Sequence, residues 1–468
     1  MSHPSSPPPD PESSDPANSQ PRVSAQQPSQ PSPAMRFPSM LAALLAATTT
    51  ASEPVRDAAP VEDLASIPND ILEVHQVVMT VQEVRKPSPR HEAERKALQG
   101  RLSHSNGRWD RNHPRHRLLD ALHAYMRYSA LQTTDLDKWR RLYKSVPKEQ
   151  KRLLEGVVDY QAKLDRVAHL LYVNQKLCDG IVEAGMAFYG VERKELDDHI
   201  KTVEAEGRTA DKVSVSQSLK HYVRDWSVQG VSEREAAFPC ILESLELLFP
   251  DRSAGDVKVL LPGAGVGRLG HDVSALGGFE VTSNEWSMYM NVAYRYLEAN
   301  PNVNTGLVHP FVDGWSHHTS TADMMREVSF PDAAVNSSAV LLVEGDFTRA
   351  FDNQKGHYDA LVTHFFIDTA RNLLAYLETI YASLRKGGYW VNFGPLLYGT
   401  GPWVQLSLEE VLAVAESMGF EFVDAPESCG DITIPGRPVR WREAAYGFND
   451  RALTKHAYKA QAWIMRKK

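Results

Sequence analysis

The run Val257-Lys-Val-Leu-Leu-Pro-Gly-Ala-Gly-Val-Gly-Arg-Leu-Gly270 leaves few folds open to this chain. Its apolar half reads as a buried strand. It breaks into glycines at alternate positions, Gly263, Gly265 and Gly267, and then into a helical pattern. Glycines at such a turn let the backbone come close to a ligand, and the helix that follows offers free N–H groups at its start. The next apolar run, 279–282, is closed by Glu285, 22 residues after the first glycine. A carboxylate about 20 residues on can accept hydrogen bonds from ribose hydroxyls. The segment predicts a nucleoside-cofactor site at the carboxyl edge of a parallel sheet.

Downstream, short apolar runs alternate with helical periodicity, as a parallel α/β sheet requires. The pattern predicts seven strands, over 257–261, 279–283, 339–343, 358–366, 389–393, 421–424 and 460–465. Helices are expected over 288–298, 372–384 and 406–418. The polar segment 301–338 is too long for a plain connection and reads as a flap or insert.

The first half of the chain has another character. Residues 1–34 contain ten Pro and nine Ser, which cannot build a core, so 1–60 is expected to be a disordered tail. The apolar stretch 35–47 is too short to span a membrane. Between Arg85 and Arg117 ten Arg/Lys face three Asp/Glu, with Trp109 the one aromatic there. Nucleic-acid arms interleave aromatics for base stacking, so this stretch reads as an unstructured solvated insert. Three-to-four spacing of Leu118, Leu119, Leu122, Tyr125, Met126 and Leu131 predicts a helix, and 153–189 a second. The expected organisation is a helical region over 61–211 and a catalytic domain over 212–468.

Composition narrows the chemistry. A net charge of −8 gives no general attraction to nucleic acid or anionic lipid. Cys178, Cys240 and Cys429 are far apart and form no C-x-x-C pair, which argues for a reducing compartment and against zinc. No H-x-x-x-H or H-E-x-x-H pair is present on a helix face, and His113, His116 and His123 read as solvated surface, so no metal is expected.

The glycine spacing resembles the first motif of class I S-adenosylmethionine-dependent methyltransferases. Methyl transfer from a sulfonium is an in-line displacement, so the protein must align donor and nucleophile. On that reading Glu285 binds ribose, and Asp346 accepts from the adenine amino group while Phe347 stacks on the ring. Gly263 and Gly265 lie against the methionine portion, and His364 contributes backbone contacts to the cofactor.

Four further runs are more specific: Val223-Arg-Asp-Trp-Ser227, Asn284-Glu-Trp-Ser287, Phe365-Phe-Ile-Asp-Thr-Ala-Arg-Asn372 and Gly394-Pro-Leu-Leu-Tyr398. With the glycine loop they resemble the carnosine N-methyltransferases, over 212–468 and more faintly over 115–190. The resemblance implies a seven-stranded, Rossmann-like class I methyltransferase core behind a helical N-terminal domain. It implies S-adenosyl-L-methionine as cofactor and a small histidine dipeptide as acceptor, with no nucleic-acid or membrane partner. It places the protein in the cytoplasm, or in cytoplasm and nucleus, and leaves open the oligomeric state, a homodimer included.

By the same resemblance Arg224 contacts the cofactor carboxylate. His221 stands where the family commonly has glutamine. Asp368 faces the acceptor imidazole; a carboxylate there can hold one ring N–H and leave the other nitrogen free to attack. Read without the resemblance, Asp368 is a helix N-cap. Tyr398 and Tyr458 are implied substrate contacts. Two positions depart from the family: Gly399 and Arg371 each stand where it has histidine. Both changes fall on the acceptor side, so a peptide or protein histidine is the alternative acceptor. A cofactor-binding scaffold without catalysis is the alternative from another class.

Overall fold

A computed structural model describes residues 88–252, 257–399 and 401–468. The tail expected over 1–60, and the region up to residue 87, lie outside the described residues. Among the described residues eight α-helices precede the sheet: α1 (Pro89–Leu102), α2 (Pro114–Met126), α3 (Tyr128–Lys144), α4 (Lys148–Val158), α5 (Tyr160–Tyr189), α6 (Arg193–Ala205), α7 (Lys212–Trp226) and α8 (Val231–Leu248). Then follow β1 (Val257–Pro262), α9 (Arg268–Ala275), β2 (Phe279–Glu285), α10 (Met288–Ala299), β3 (Gly306–Val308), α11 (Thr321–Met325) and β4 (Val328–Phe330). The chain continues with β5 (Val340–Glu344), α12 (Phe347–Ala350), β6 (Tyr358–His364), α13 (Leu373–Ser383) and β7 (Leu384–Gly394). It closes with α14 (Leu408–Ser417), β8 (Phe420–Val423), β9 (Asp431–Ile432), β10 (Arg440–Ala445) and β11 (Ala457–Lys467). No described helix is long and apolar enough to cross a membrane.

The main sheet runs β5-β2-β1-β6-β7-β11-β10-β9, with β8 also paired to β11. The pairs β5–β2, β2–β1, β1–β6 and β6–β7 are parallel, and β11 lies antiparallel to β7. All seven expected strands are present. The two unexpected ones, β9 and β10, join because β11 is long. Its last residues pair with β8 and its first half pairs with β10. Central strands are apolar on both faces because helices cover both. In β1, Val259 and Leu261 enter one core and Leu260 the other, the alternation a strand imposes.

The helical block and the sheet share one core. Leu118, Leu122, Tyr125, Leu171, Ile181 and Tyr222 from the helices pack with Val292 and Leu297 of α10. The 301–338 insert belongs to the same cluster through Phe311, Val312 and Phe330, and its β3–β4 hairpin seats it there.

Several local expectations give way to tertiary contacts. The basic stretch is not unstructured: residues 89–102 form α1, whose buried Leu98 and Leu102 anchor it. Arg90 donates to the Val281 carbonyl and His91 Nε2 lies 3.2 Å from the Val340 carbonyl, which covers the β5 edge of the sheet. The helix expected over 153–189 is two, parted at Asp159, which adopts the left-handed conformation and caps α5 through Ala162 N–H. His113, His116 and His123 are buried rather than solvated, because α6 covers α2 and brings His199 and Glu204 to them. Cys240 and Cys429, far apart in sequence, are joined as a disulfide because α8 lies against the turn 427–429. Only Cys178 is free.

One buried ionic network ties these layers together. Arg295 of α10 donates to Glu344 at 2.6 Å and to Glu298 at 2.6 Å. The Tyr189 hydroxyl donates to the same Glu344 carboxylate, and the guanidinium sits 3.9 Å from the Phe188 ring centre. Removing one member of such a network strands a buried charge. Glu344→Ala should therefore destabilise the fold by about 3–5 kcal/mol, read as a fall in the urea midpoint; an unshifted midpoint would remove the network's structural role.

Candidate functional site

The three loop glycines have φ of 69°, 58° and 85° at positions 263, 265 and 267, a region that other residues rarely adopt. A Cβ at Gly263 would lie 2.3 Å from the Phe366 ring, and one at Gly265 would lie 3.4 Å from His221 Nδ1. The loop continues the β1–β2 ladder through Ala264 N–H to the Asn284 carbonyl.

Glu285, the last residue of β2, accepts from Gly265 N–H at 2.8 Å and from Ser287 N–H at 2.7 Å. Burial pushes its carboxyl up, and the N–H groups of Ser287, Gly265 and Trp286 pull it back. Each oxygen keeps a lone pair for a further donor. On the neighbouring strand, Asp346 follows β5 and is exposed. Its Oδ1 accepts from Thr348 N–H at 2.9 Å. Phe347 is buried, edge-on to Phe366 and Tyr376, and its ring forms the core beneath the site.

Across the loop, the last turn of α7 carries His221, Arg224 and Asp225. Arg224 binds Asp225 through Nε at 2.6 Å and Nη2 at 3.1 Å, and Nη2 also lies 2.9 Å from His221 Nδ1. Its guanidinium sits 4.7 Å from the Tyr446 ring centre and 5.6 Å from that of Phe448. Burial alone would raise the Asp225 carboxyl, but Arg224 and the hydrogen bonds from His221 and Arg224 hold it well below the ordinary carboxylate range. Arg224 Nη1 is buried with no partner among the described residues. The loop carrying Tyr446 and Phe448 is itself pinned, because buried Glu233 accepts from the N–H groups of Gly447 and Phe448.

His364 ends β6. Burial lowers its imidazole to about 3, and Nε2 has no partner among the described residues. His221, Arg224, Gly263, Gly265, His364 and Tyr446 all line one cavity above the glycine loop.

Asp368 lies just beyond, in the turn 367–369. It is buried, and Oδ2 accepts from Leu397 N–H at 2.9 Å. Burial raises its carboxyl to about 6, with the N–H groups of Leu397 and Asp368 opposing. The helix cap here is Asn372, which accepts from Ala375 N–H, so Asp368 is free of that duty. Phe365 has φ of 50°; it stacks on Tyr446 at 4.8 Å and meets Tyr458 edge-on at 5.9 Å. Tyr398 donates to the Leu406 carbonyl at 2.7 Å, so its hydroxyl also closes the following loop. Arg371 is exposed, 6.0 Å from the Trp403 ring centre, and a Cβ at Gly399 would meet nothing within 4 Å.

The expected residues thus form two neighbouring groups, one around the glycine loop and one around Asp368. Glu233, Tyr446 and Phe448 carry no role in the sequence reading, and Asp225 appears there only as part of the run 223–227. The Tyr446-Gly-Phe448 triplet before the last strand is the local signal for the two aromatics.

His116, Asp120 and His199 also bring nitrogen and oxygen donors within 4.8 Å of one another. His199 Nε2 lies 2.8 Å and His116 Nδ1 3.2 Å from the Asp120 carboxylate, and Arg208 lies 3.9 Å from it. With that fixed cation alongside, the His199–Asp120 hydrogen bond serves as a tie between α6 and α2.

A family model described as Carnosine N-methyltransferase matches residues 201–468. The Carnosine N-methyltransferase of Mus musculus is 28% identical over 358 residues, covering 74% of this chain and 84% of that protein. That of Schizosaccharomyces pombe is 32% identical over 332 residues, covering 65% and 87%. Among solved structures, a Haemonchus contortus N-methyltransferase bound to S-adenosylhomocysteine aligns with TM-score 0.30 and 14% identity over 44% of this chain and 42% of that one. A likeness that weak adds nothing to the strand order described above.

The buried Asp368 gives a pH-dependent signature. A carboxyl raised from 3.8 to about 6 favours the protonated folded state. Its stabilising contribution is complete below about pH 4 and is lost as pH rises through 6. Asp368→Asn, neutral at every pH, should be more stable than the parent by about 1–3 kcal/mol at pH 7.5. The two should converge near pH 4.5. Denaturant melts at both values check this, and an asparagine variant no more stable at pH 7.5 contradicts the burial effect.

Proposed function

The chain belongs to the carnosine N-methyltransferase family, and on that premise we propose that it methylates the imidazole of carnosine or a related histidine dipeptide, with S-adenosylmethionine as donor. One arrangement carries the reading. A buried arginine nitrogen with no partner among the described residues, Arg224 Nη1, stands at a glycine loop, and a buried carboxylate, Asp368, stands in the turn that follows the neighbouring strand β6.

The chain's residues suit that cofactor. An α-carboxylate satisfies Arg224 Nη1 by a charge-assisted hydrogen bond. The side-chain-free backbone at Gly263 and Gly265 leaves room for the amino-acid portion, and Glu285 keeps lone pairs for ribose hydroxyls. Bound S-adenosylmethionine supplies a methyl group on a positively charged sulfur.

Asp368 then orders the acceptor. As a carboxylate it accepts one ring N–H, which fixes the tautomer whose other nitrogen bears the lone pair. Transfer turns the neutral ring into a methylimidazolium, and the carboxylate facing its N–H offsets the new charge. Phe365, Tyr446 and Tyr458 supply flat apolar walls beside that ring. The carboxylate form is required, so turnover should fall as pH drops through about 6.

A second acceptor class is favoured by one observation. Among the described residues the acceptor side is open around Gly399, with Leu397 and Trp403 exposed. That openness suits a histidine within a longer peptide as well as a free dipeptide.

Transfer of labelled methyl to carnosine, anserine, free histidine and a histidine-containing peptide tests the proposal. Carnosine should be labelled and anserine, whose acceptor nitrogen is blocked, should not; label confined to the peptide would move the acceptor to that class. Asp368→Ala should lower kcat by about 10²–10⁴ with the Kd for S-adenosylhomocysteine unchanged; loss of that affinity would place Asp368 at the cofactor instead. Glu285→Ala should weaken cofactor binding by about 1.5–3 kcal/mol, and an unchanged Kd would count against its ribose role.

A further inference from the structure

The adenosine end of the site is approached by a cation from outside the sheet domain. Arg117, in the first turn of α2, lays its guanidinium 3.6 Å from the ring centre of Trp286, the residue directly after Glu285. One Nη2 donates to the Trp286 carbonyl. Its Nε and Nη1 have no protein acceptor among the described residues.

Two carboxylates act on it electrostatically, and one of them, Glu285, is the residue before Trp286. Neither Glu285 nor Asp346 forms an ion pair among the described residues. Burial lowers the basicity of Arg117, and the charges of Glu285 and Asp346 oppose that, so the guanidinium stands within electrostatic reach of both. It stops short of closing on either one.

The arginine is also firmly held. Its neighbours Leu118, Leu119 and Leu122 are wholly buried, and Tyr125 of the same helix donates to the Tyr289 carbonyl at 2.9 Å. One turn along, Asp120 is tied to His199 of α6. A guanidinium so placed is presented to the site by a packed helix, unlike a loose surface side chain.

The chemistry of a nucleoside completes the argument. Adenosine has donors, the ribose hydroxyls and the amino group, which two carboxylates can receive. It also has acceptors, the ring nitrogens and ribose oxygens, which carboxylates cannot serve. Resting on the cofactor reading above, we infer that Arg117 is a binding residue for the nucleoside half of S-adenosylmethionine, donating to it from above Trp286. The helical block thereby completes the cofactor site.

Calorimetric Kd values for S-adenosylhomocysteine and for adenosine, on the full chain and on Arg117→Ala and Arg224→Ala, test this. Arg117→Ala should weaken both ligands by a similar factor, about tenfold, with the melting temperature of the free protein little changed. Arg224→Ala should weaken S-adenosylhomocysteine alone, since adenosine lacks the carboxylate. If Arg117→Ala does not fold, Arg117→Lys keeps the charge without the planar fork and should weaken both ligands about threefold. Full affinity for either ligand in the Arg117 variant that folds overturns the inference. So does a loss confined to S-adenosylhomocysteine. No binding of S-adenosylhomocysteine by the parent chain overturns the cofactor reading itself, whereas parent binding that Glu285→Ala weakens and the Arg117 variant does not leaves that reading standing and removes this one.

Discussion

A buried carboxylate, Glu344, holds the architecture in register. It ends β5 directly beside Glu285 at the end of β2, so two acidic side chains stand at the same level of adjacent strands. One is neutralised inside by Arg295 and hydrogen-bonded by Tyr189; the other is left to face the glycine loop. Charges buried together require closely fixed partners, and these partners come from the end of α5 and from α10. The ionic network therefore sets how the helical block meets the sheet, and with it where α2 meets Trp286 just past the end of β2.

The two halves of the site are built by different means. The side around the glycine loop, proposed to hold the nucleoside, follows from short-range geometry: a strand, a glycine turn and the end of the next strand. The Arg224 side depends on long-range support. Its guanidinium is shaped by Asp225, flanked by Tyr446 and Phe448, and those aromatics are held by Glu233 on α8. An arginine proposed to bind a carboxylate needs both its charge and its plane fixed, and here three separate segments share that task.

What could be read in the sequence follows this difference. The β1 strand, its glycine turn and Glu285 were legible because they are contiguous and their φ angles and spacing leave local marks. Asp368 was legible through the run that contains it, and the structure adds its buried setting and removes the capping role. The burial of His113, His116 and His123 was not legible, since α6 arrives from some 80 residues away. The same holds for α1, whose sequence reads as an unstructured solvated insert until β2 accepts Arg90 and β5 meets His91, and for the pairing of Cys240 with Cys429. Arg117 looked like one more charge in a basic run because its partner, Trp286, is 169 residues downstream.

The place of β11 has a consequence for the order in which this fold can assemble. β11 separates β7 from β10 and β8, yet residues 395–456 intervene between β7 and β11. Strand pairs distant in sequence form late, because loop closure must be met before their contacts stabilise anything. β1 and β2, with the glycine turn between them, are close neighbours in the chain and can form early. Tyr458 rides on β11, and the 446–448 loop is strung between β10 and β11. On the proposed roles, a partly folded chain would therefore hold its nucleoside segment before Tyr458 and the 446–448 loop completed the acceptor side.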